Sequence, residues 1–203
     1  RANNNDLNIQ KDKIKVIYHF ANEPEVPKCK KISKNIMYAG NLGTPQNIES
    51  FIDTFSKSRK NYKLTIFGSG SQYEKICELS SPHVEVNSYV SREKLVYLTR
   101  EIPYALVSLS SKITVEGFPG KTFDYLKMNK ILIGYSHPES SLAKFIDKFQ
   151  LGINIDPNDQ DIDIKLNKLE DDSFLEQIYS NISEMNNHFA NVNLIVKQYM
   201  ELI

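Results

Sequence analysis

The chain has 203 residues, of which 40% are hydrophobic, and this is enough to bury one sizeable core. Lysine plus arginine and aspartate plus glutamate balance at 25 each, which argues against a protein that binds duplex nucleic acid through its phosphates. Two cysteines, Cys29 and Cys77, are too few for a disulfide framework or a zinc site. The sequence shows no signal peptide and no apolar run of membrane-spanning length. We therefore expect a protein of the reducing cytoplasm with no nucleic-acid partner.

Short apolar or branched runs alternate with helical patterns along the chain. Strands are predicted at residues 14–20, 36–40, 62–67, 83–86, 104–109, 130–135 and 151–156. Between them, apolar residues recur at helical spacing, as in the stripe formed by Ile48, Phe51, Ile52 and Phe55. Regular strand–helix alternation without a hairpin signal predicts an α/β fold, with a doubly wound, mostly parallel six-stranded sheet between Ile36 and Ile155.

Helix-capping residues and a proline-containing segment indicate the boundaries of the predicted elements and domains. Thr44 and Ser91 are predicted to cap helices, and the segment from Phe174 onward predicts two terminal helices. Prolines between Glu23 and Lys31 predict a linker. We therefore predict that residues 1–33 are the end of a preceding domain plus a linker, and that residues 34–203 form one domain. Because the first residue is Arg rather than Met, we expect a piece of a longer protein.

The segment from Ser110 to Leu126 connects the fully apolar strand at 104–109 to the next predicted helix, which begins near Pro119 or Gly120. In open α/β sheets, ligands bind beyond the carboxyl ends of the strands, and helix N-termini there present free N–H groups to phosphates. Lys121 and Asp124 are three residues apart and share one helix face. The alternative is a surface helix with an ordinary Lys–Asp ion pair.

This segment resembles the signature of the family 4 glycosyltransferases of the GT-B fold, a Glu, seven residues, Glu pattern often written around E-G-F-G. Glu116 begins the pattern here, and Asp124 stands at the second acidic position. The run from Pro119 to Tyr125 is similar to the P-x-K-x-x-E-Y text of bacterial polysaccharide enzymes, apart from the same shortening. The resemblance covers residues 36–156 and implies the C-terminal, Rossmann-like, nucleotide-sugar-binding half of such an enzyme.

The resemblance also implies roles for individual residues. Glu116 and Lys121 become the catalytic candidates, the first holding a donor-sugar hydroxyl and the second neutralising the diphosphate, while Asp124 accepts hydrogen bonds from the ribose hydroxyls. The further donor-binding candidates are Gly40, Asn41, Gly43, Gly68, Gly70, Tyr89, Val90, Gly117, Phe118, Pro119 and Gly120. Tyr89 either stacks on the base or covers the edge of the core, and these alternatives stay open. The Gly68 to Gly70 turn is more often a tight strand–helix connection than a phosphate cradle.

One departure from the family pattern concerns charge. Many members carry Arg and Lys where this chain has Asn41 and Gln46, so two charges near the diphosphate are missing. More of the neutralisation then falls on Lys121 and on helix N-termini. The missing pair slightly favours the alternative of a non-catalytic, GT-B-like subunit that binds a nucleotide or a partner. A dinucleotide-binding module is a weaker alternative, because Gly68-Ser69-Gly70 lacks the third glycine of that motif.

The function implied by the resemblance is sugar transfer with retention of configuration, from a UDP- or GDP-linked donor to a glycan or lipid-linked acceptor. We expect no metal and no cofactor beyond the donor. The family's commonest setting is bacterial surface polysaccharide synthesis, including capsule, in the cytoplasm. Peripheral association of the intact enzyme with the inner face of the membrane stays open. We expect this chain alone to bind the donor but to transfer little, since the missing N-terminal half of a GT-B enzyme holds the acceptor.

Overall fold

The structure is a computed structural model that describes residues 33–110, 118–159, 161–189 and 200, without the side chains of residues 188 and 189. Several predictions lie outside these described residues. They are the strand at 14–20, the linker before residue 33, the site candidates Glu116 and Gly117, and all but one residue of the second terminal helix.

Within the described residues, six strands form one sheet in which every neighbouring pair is parallel. The strands are β1 (Asn35–Asn41), β2 (Lys63–Ser69), β3 (Val84–Ser88), β4 (Tyr104–Ser108), β5 (Ile131–Tyr135) and β6 (Gly152–Ile155). Their spatial order is β3-β2-β1-β4-β5-β6. The predicted doubly wound parallel sheet is confirmed. Since the strand order reverses between β1 and β4, a crevice is expected beyond the carboxyl ends of these two strands.

Helices connect the strands and follow the last one. They are α1 (Ile48–Phe55), α2 (Tyr73–Cys77), α3 (Arg92–Thr99), α4 (Lys121–Lys127), α5 (Ser141–Phe149), α6 (Ile162–Asn167) and α7 (Asp172–Phe189), with 3₁₀ turns at Thr44–Gln46 and Lys168–Glu170. The predicted cap of α3 is confirmed, because the Ser91 side chain accepts a hydrogen bond from the Lys94 N–H. Neither α6 nor the 3₁₀ turn after it was predicted, although Asp161 caps α6 with its side chain.

The predicted cap at Thr44 is wrong. Thr44 is already the first residue of the 3₁₀ turn, and Gly43 precedes it in extended conformation without a side-chain bond. Asn47 then adopts a left-handed conformation with φ of 50°, and α1 begins only after it. The left-handed residue separates the proline turn from the helix, so the sequence pattern merged two elements that the backbone keeps distinct.

The core follows the predicted pattern. Every residue of the neighbouring interior strands β4 and β5 is buried, as continuous apolar runs in a sheet covered on both faces require. The predicted stripe on α1 is buried, as are Leu175, Ile178, Ile182 and Met185 on α7. Within the described part of the chain, no helix is long and apolar enough to cross a membrane.

The sheet splits where the strand order reverses. β1 pairs with β2 over its whole length but with β4 at only two positions, Ile36 with Tyr104 and Met37 with Ala105. Beyond the split, the Tyr125 hydroxyl forms two hydrogen bonds with the backbone of Ala39. It accepts from the N–H at 2.8 Å and donates to the carbonyl at 3.0 Å. A side chain from α4 therefore replaces ladder hydrogen bonds and joins α4 to β1 beside the crevice.

Candidate functional site

Lys121 is the first residue of α4, and its side chain reaches across to β1. The amine Nζ donates to the Tyr38 hydroxyl at 3.0 Å and to the Ala39 carbonyl at 3.1 Å. It also lies 4.0 Å from the centre of the Tyr38 ring, within the range of a cation–π interaction. The helix start predicted near Pro119 or Gly120 is therefore confirmed. The amine, however, packs against β1 instead of standing in a surface pair with Asp124.

Among the described residues, the charged group that acts on the Lys121 amine is the carboxylate of Asp124. Burial lowers the pKa of Lys121 to about 8, against an ordinary value near 10.4, while the charge of Asp124 acts in the opposite direction and is outweighed. The ammonium at neutral pH is thus held by a ring face and two uncharged oxygens. An anion bound beside it would supply the negative charge that these partners lack.

Tyr38 connects the amine to the end of β1. Its side chain is fully buried, and its hydroxyl donates to the Asn41 carbonyl at 2.6 Å while it accepts from Lys121. Burial, with a smaller contribution from Tyr125, raises the pKa of Tyr38, so the hydroxyl keeps its proton at neutral pH. A continuous hydrogen-bonded path therefore runs from Lys121 through Tyr38 to the residue at which β1 ends.

Three of the predicted glycines are required by the protein's own packing. A Cβ on Gly40, where φ is 142°, would lie 2.6 Å from Lys121 Nζ. On Gly68 it would lie 2.4 Å from the Gly40 carbonyl oxygen, and on Gly70, where φ is 144°, it would lie 2.5 Å from Asn41 Oδ1. The Gly68 to Gly70 segment forms the tight strand–helix connection. Close approach of a diphosphate to these glycines stays a prediction.

The two amides that replace the family's basic pair face each other. Asn41 Nδ2 donates to Gln46 Oε1 at 3.1 Å, and a Cβ on the neighbouring Gly43 would lie 2.9 Å from Asn41 Nδ2. A side chain at position 43 would therefore require the two amides to shift. This part of the loop after β1 is uncharged but rich in hydrogen-bonding atoms.

Asp124 lies on α4 one turn beyond Lys121. Its Oδ1 forms an ion pair with Nη2 of Arg92, the first residue of α3, at 3.3 Å. Both side chains are partly exposed. The ion pair links the start of α3 to α4. The loop between β3 and α3 carries the predicted base-binding residues Tyr89 and Val90, and α4 carries the predicted ribose-binding carboxylate.

The structure places the other candidates as follows. Tyr89 is 70% exposed, so it does not cover the core edge, and Val90 is partly buried. Phe118 is partly buried and packs in an aromatic cluster, with ring centres 5.4 Å from Phe123 and 4.9 Å from Phe145. Pro119 and Gly120 accept the first hydrogen bonds of the α4 turn, and Gly120 is exposed with open space where a Cβ would stand.

Three residues near the crevice were not singled out by the sequence pattern. They are Tyr38, Arg92 and Tyr125. Tyr125 stood at the end of the quoted motif, and Arg92 directly followed a predicted cap, so both had a sequence signal that was not used. Tyr38 begins the strand-to-loop segment from Tyr38 to Gly43 that resembles the family, but the tyrosine itself was not among the predicted site residues.

A model of the family described as glycosyl transferases group 1 matches residues 20–188. The chain belongs to this family. Its fold is also that of solved GT-B glycosyltransferases. A search of the curated proteins finds no significant match to the chain.

Three solved structures illustrate the likeness. The apo form of the lipopolysaccharide outer core galactosyltransferase WaaB matches with a TM-score of 0.71 and 18% identity, covering 96% of this chain and 56% of that one. The S. aureus TarM G117R mutant, in complex with fondaparinux, α-GlcNAc-glycerol and UDP, matches with a TM-score of 0.64 and 12% identity, covering 94% of this chain and 40% of that one. Anabaena HepE in complex with UDP and glucose matches with a TM-score of 0.64 and 13% identity, covering 82% of this chain and 47% of that one. The chain thus spans roughly half the length of these enzymes.

Proposed function

We propose that this chain binds a nucleoside-diphosphate sugar in the crevice between β1 and β4. The observation that carries the proposal is the placement of the Lys121 amine against β1 at the split of the sheet, with the Asp124 carboxylate one turn further along α4. Membership of the glycosyl transferase family supports this ligand, as do the UDP complexes of TarM and HepE. The proposed enzyme is a transferase that moves a sugar from the nucleotide to an acceptor.

The proposed chemistry uses charged side chains at three parts of the donor. Departure of the nucleoside diphosphate leaves negative charge on its phosphates, which the Lys121 ammonium stabilises by a charge-assisted hydrogen bond. Asp124 accepts hydrogen bonds from the ribose diol, and Glu116 holds a hydroxyl of the donor sugar. The ammonium supplies the positive charge, so we expect donor binding without a metal.

The finer parts of the proposal concern the whole protein. Residues 34–203 form the donor-binding domain, and residues 1–33 lead from an acceptor-binding domain. Transfer proceeds with retention, from a UDP- or GDP-linked hexose to a glycan or lipid-linked acceptor in bacterial surface polysaccharide synthesis. WaaB, a galactosyltransferase of the lipopolysaccharide outer core, and TarM, which is in complex with fondaparinux and α-GlcNAc-glycerol, support this acceptor class.

A second candidate is a binding subunit of the same fold that recognises a nucleotide or a partner without transferring sugar. The specific observation in its favour is the neutral pair of Asn41 and Gln46 at the mouth of the crevice. A transfer assay on the full-length protein separates the two candidates. Acceptor-dependent release of UDP or GDP from a sugar nucleotide, lost in Lys121→Ala, is expected of the enzyme and not of the binding subunit.

The ligand itself is tested by titrating the chain with UDP, GDP, ADP, NAD and uridine in a calorimeter. We expect Lys121→Ala to weaken binding of the preferred nucleoside diphosphate roughly ten- to hundredfold, which corresponds to about 1.5–3 kcal/mol for a charge-assisted hydrogen bond. Binding of the nucleoside should be unchanged. Lys127→Ala, at the other end of α4, is the matched control and should change neither. Equal losses for the nucleotide and the nucleoside would remove Lys121 from the phosphate site.

The ribose contact is tested through Asp124→Asn. An amide has one acceptor oxygen, so it cannot reproduce two hydrogen bonds from the diol to a carboxylate. We expect weaker binding of the ribonucleotide but little change for its 2′,3′-dideoxy analogue. In a double-mutant cycle of protein and ligand, a direct contact gives a coupling of roughly 1–2 kcal/mol. Additive losses would mean that Asp124 and the ribose do not meet.

A further inference from the structure

Tyr38 is a buried polar side chain for which the proposed chemistry has no use. Its ring is enclosed in the core and would pack equally well as phenylalanine, so packing alone does not explain its hydroxyl. A buried hydroxyl is costly unless it is bonded, and this one is bonded on both sides, from Lys121 and to the Asn41 carbonyl. The phenol is therefore built into the crevice and not merely into the core.

The contacts between Tyr38 and Lys121 act on both the place and the charge of the amine. The ring face lies 4.0 Å from Nζ and attracts the ammonium, while the hydroxyl oxygen accepts one of its N–H groups at 3.0 Å. Because the hydroxyl in turn donates to the Asn41 carbonyl, its oxygen becomes a better acceptor. Both contacts favour the charged form of the amine against the burial that opposes it.

We propose that Tyr38 is a positioning residue, which holds the ammonium of Lys121 at the crevice between β1 and β4 for the phosphates of the nucleotide; this rests on the function proposed above. Tyr38 itself does not touch the ligand. Its action passes through Lys121, and the Ala39 carbonyl supplies the second support.

The other titratable groups around the amine are few among the described residues. Tyr125 of α4 bonds to the Ala39 backbone, Asp124 of α4 acts as a nearby negative charge, and Arg92 of α3 pairs with Asp124. None of these replaces an acceptor lost at Tyr38. Removing that one hydroxyl should therefore leave the amine with one acceptor fewer and with no substitute in the part of the chain that the structure describes.

The first test needs no nucleotide. Lys121 is labelled with an amine-specific reagent across a pH series in wild type and in Tyr38→Phe, and the modification is quantified by mass spectrometry. Loss of the acceptor favours the neutral, reactive amine, so we expect labelling of Lys121 near pH 6, where nearly all of the wild-type amine is charged, to rise roughly three- to tenfold. Tyr135→Phe, which removes another buried hydroxyl in β5, is the matched control and should leave the labelling unchanged. Equal labelling in Tyr38→Phe and wild type would overturn the proposal.

The second test measures binding of UDP and uridine. We expect Tyr38→Phe to weaken binding of UDP roughly three- to tenfold and to leave binding of uridine unchanged. In the Lys121→Met background the same substitution should have no further effect, because its action passes through the lysine. Additive losses would overturn the proposal, as would an equal loss for uridine. The labelling result does not depend on nucleotide, so failure of wild type to bind any nucleoside diphosphate would refute the proposed function and not the link between Tyr38 and Lys121.

Discussion

Lys121→Met is expected to make the protein more stable while it removes the group proposed to bind phosphate. Methionine keeps an unbranched stem of similar length but has no charge to bury. The substitution leaves no buried acceptor unpaired, because the Tyr38 hydroxyl still donates to Asn41 and the Ala39 carbonyl still accepts from Tyr125. The side chain can therefore be changed without opening a new polar defect.

The magnitude follows from the pKa of Lys121, which burial lowers to about 8. Against an ordinary pKa near 10.4, this places the cost of the buried ammonium at roughly 3 kcal/mol at most, at about 1.4 kcal/mol per unit. Between pH 8 and pH 10.5 the unfolded chain binds more protons at this residue than the folded chain, so wild-type stability rises with pH across that window. Below pH 8 the cost is fully present.

We expect Lys121→Met to gain about 1–3 kcal/mol at pH 7 and to lose this advantage as the pH approaches 10.5. For a chain of this size, about 2–4 °C in melting temperature corresponds to each kcal/mol. Urea unfolding at pH 7 and pH 9.5 measures the difference, with Lys127→Met as the control on the same helix. A variant less stable than wild type at pH 7 would refute the reasoning, because the ammonium would then be a net stabilising group.

Three further outcomes concern stability and are read by urea or thermal unfolding. Gly152→Ala should cost at least about 3 kcal/mol, because φ is 155° and a Cβ would lie 1.8 Å from a backbone oxygen of β5. The control Gly120→Ala, with open space at its Cβ, should change stability by less than about 1 kcal/mol. Similar costs for the two variants would contradict the packing of the β5–β6 edge. Although burial raises the pKa of the Asp163 carboxyl, hydrogen bonds from a neighbouring serine and from Arg59 hold it below its ordinary value. Asp163→Asn should therefore cost about 2–3 kcal/mol at pH 7, and part of this difference should be lost as the pH falls from about 4 through the lowered pKa of the folded state, so a pH-independent cost would count against the charge. Thr122→Val should gain up to about 1 kcal/mol, since the buried hydroxyl has no hydrogen-bond partner among the described residues, and a loss would indicate a bond with the remainder of the chain.

Much of the fold was predictable because the signals that define it are local. Continuous apolar runs marked β4 and β5, the stripe on α1 marked its buried face, and Ser91 marked the start of α3. Such features depend on residues within one turn or one strand, and regular alternation then leaves few topologies open. The same locality explains the failure at Thr44, where the left-handed conformation of Asn47 interrupts a pattern that looks continuous in letters.

The candidate site was predictable only as a location. The motif that ends in Asp124 and Tyr125 could be placed between a strand and a helix, but nothing near it in the sequence specified which strand its lysine would meet. Lys121 bonds to Tyr38 across 83 positions, and Tyr125 bonds to Ala39 across 86. These contacts exist because the strand order places β1 beside β4 and then lets the two diverge, which leaves backbone groups of β1 to be satisfied by α4. The sequence by itself determined the elements and the chemical groups of the site. The tertiary structure alone decided which groups meet, because strand order brings together residues whose separation along the chain carries no information about their contact.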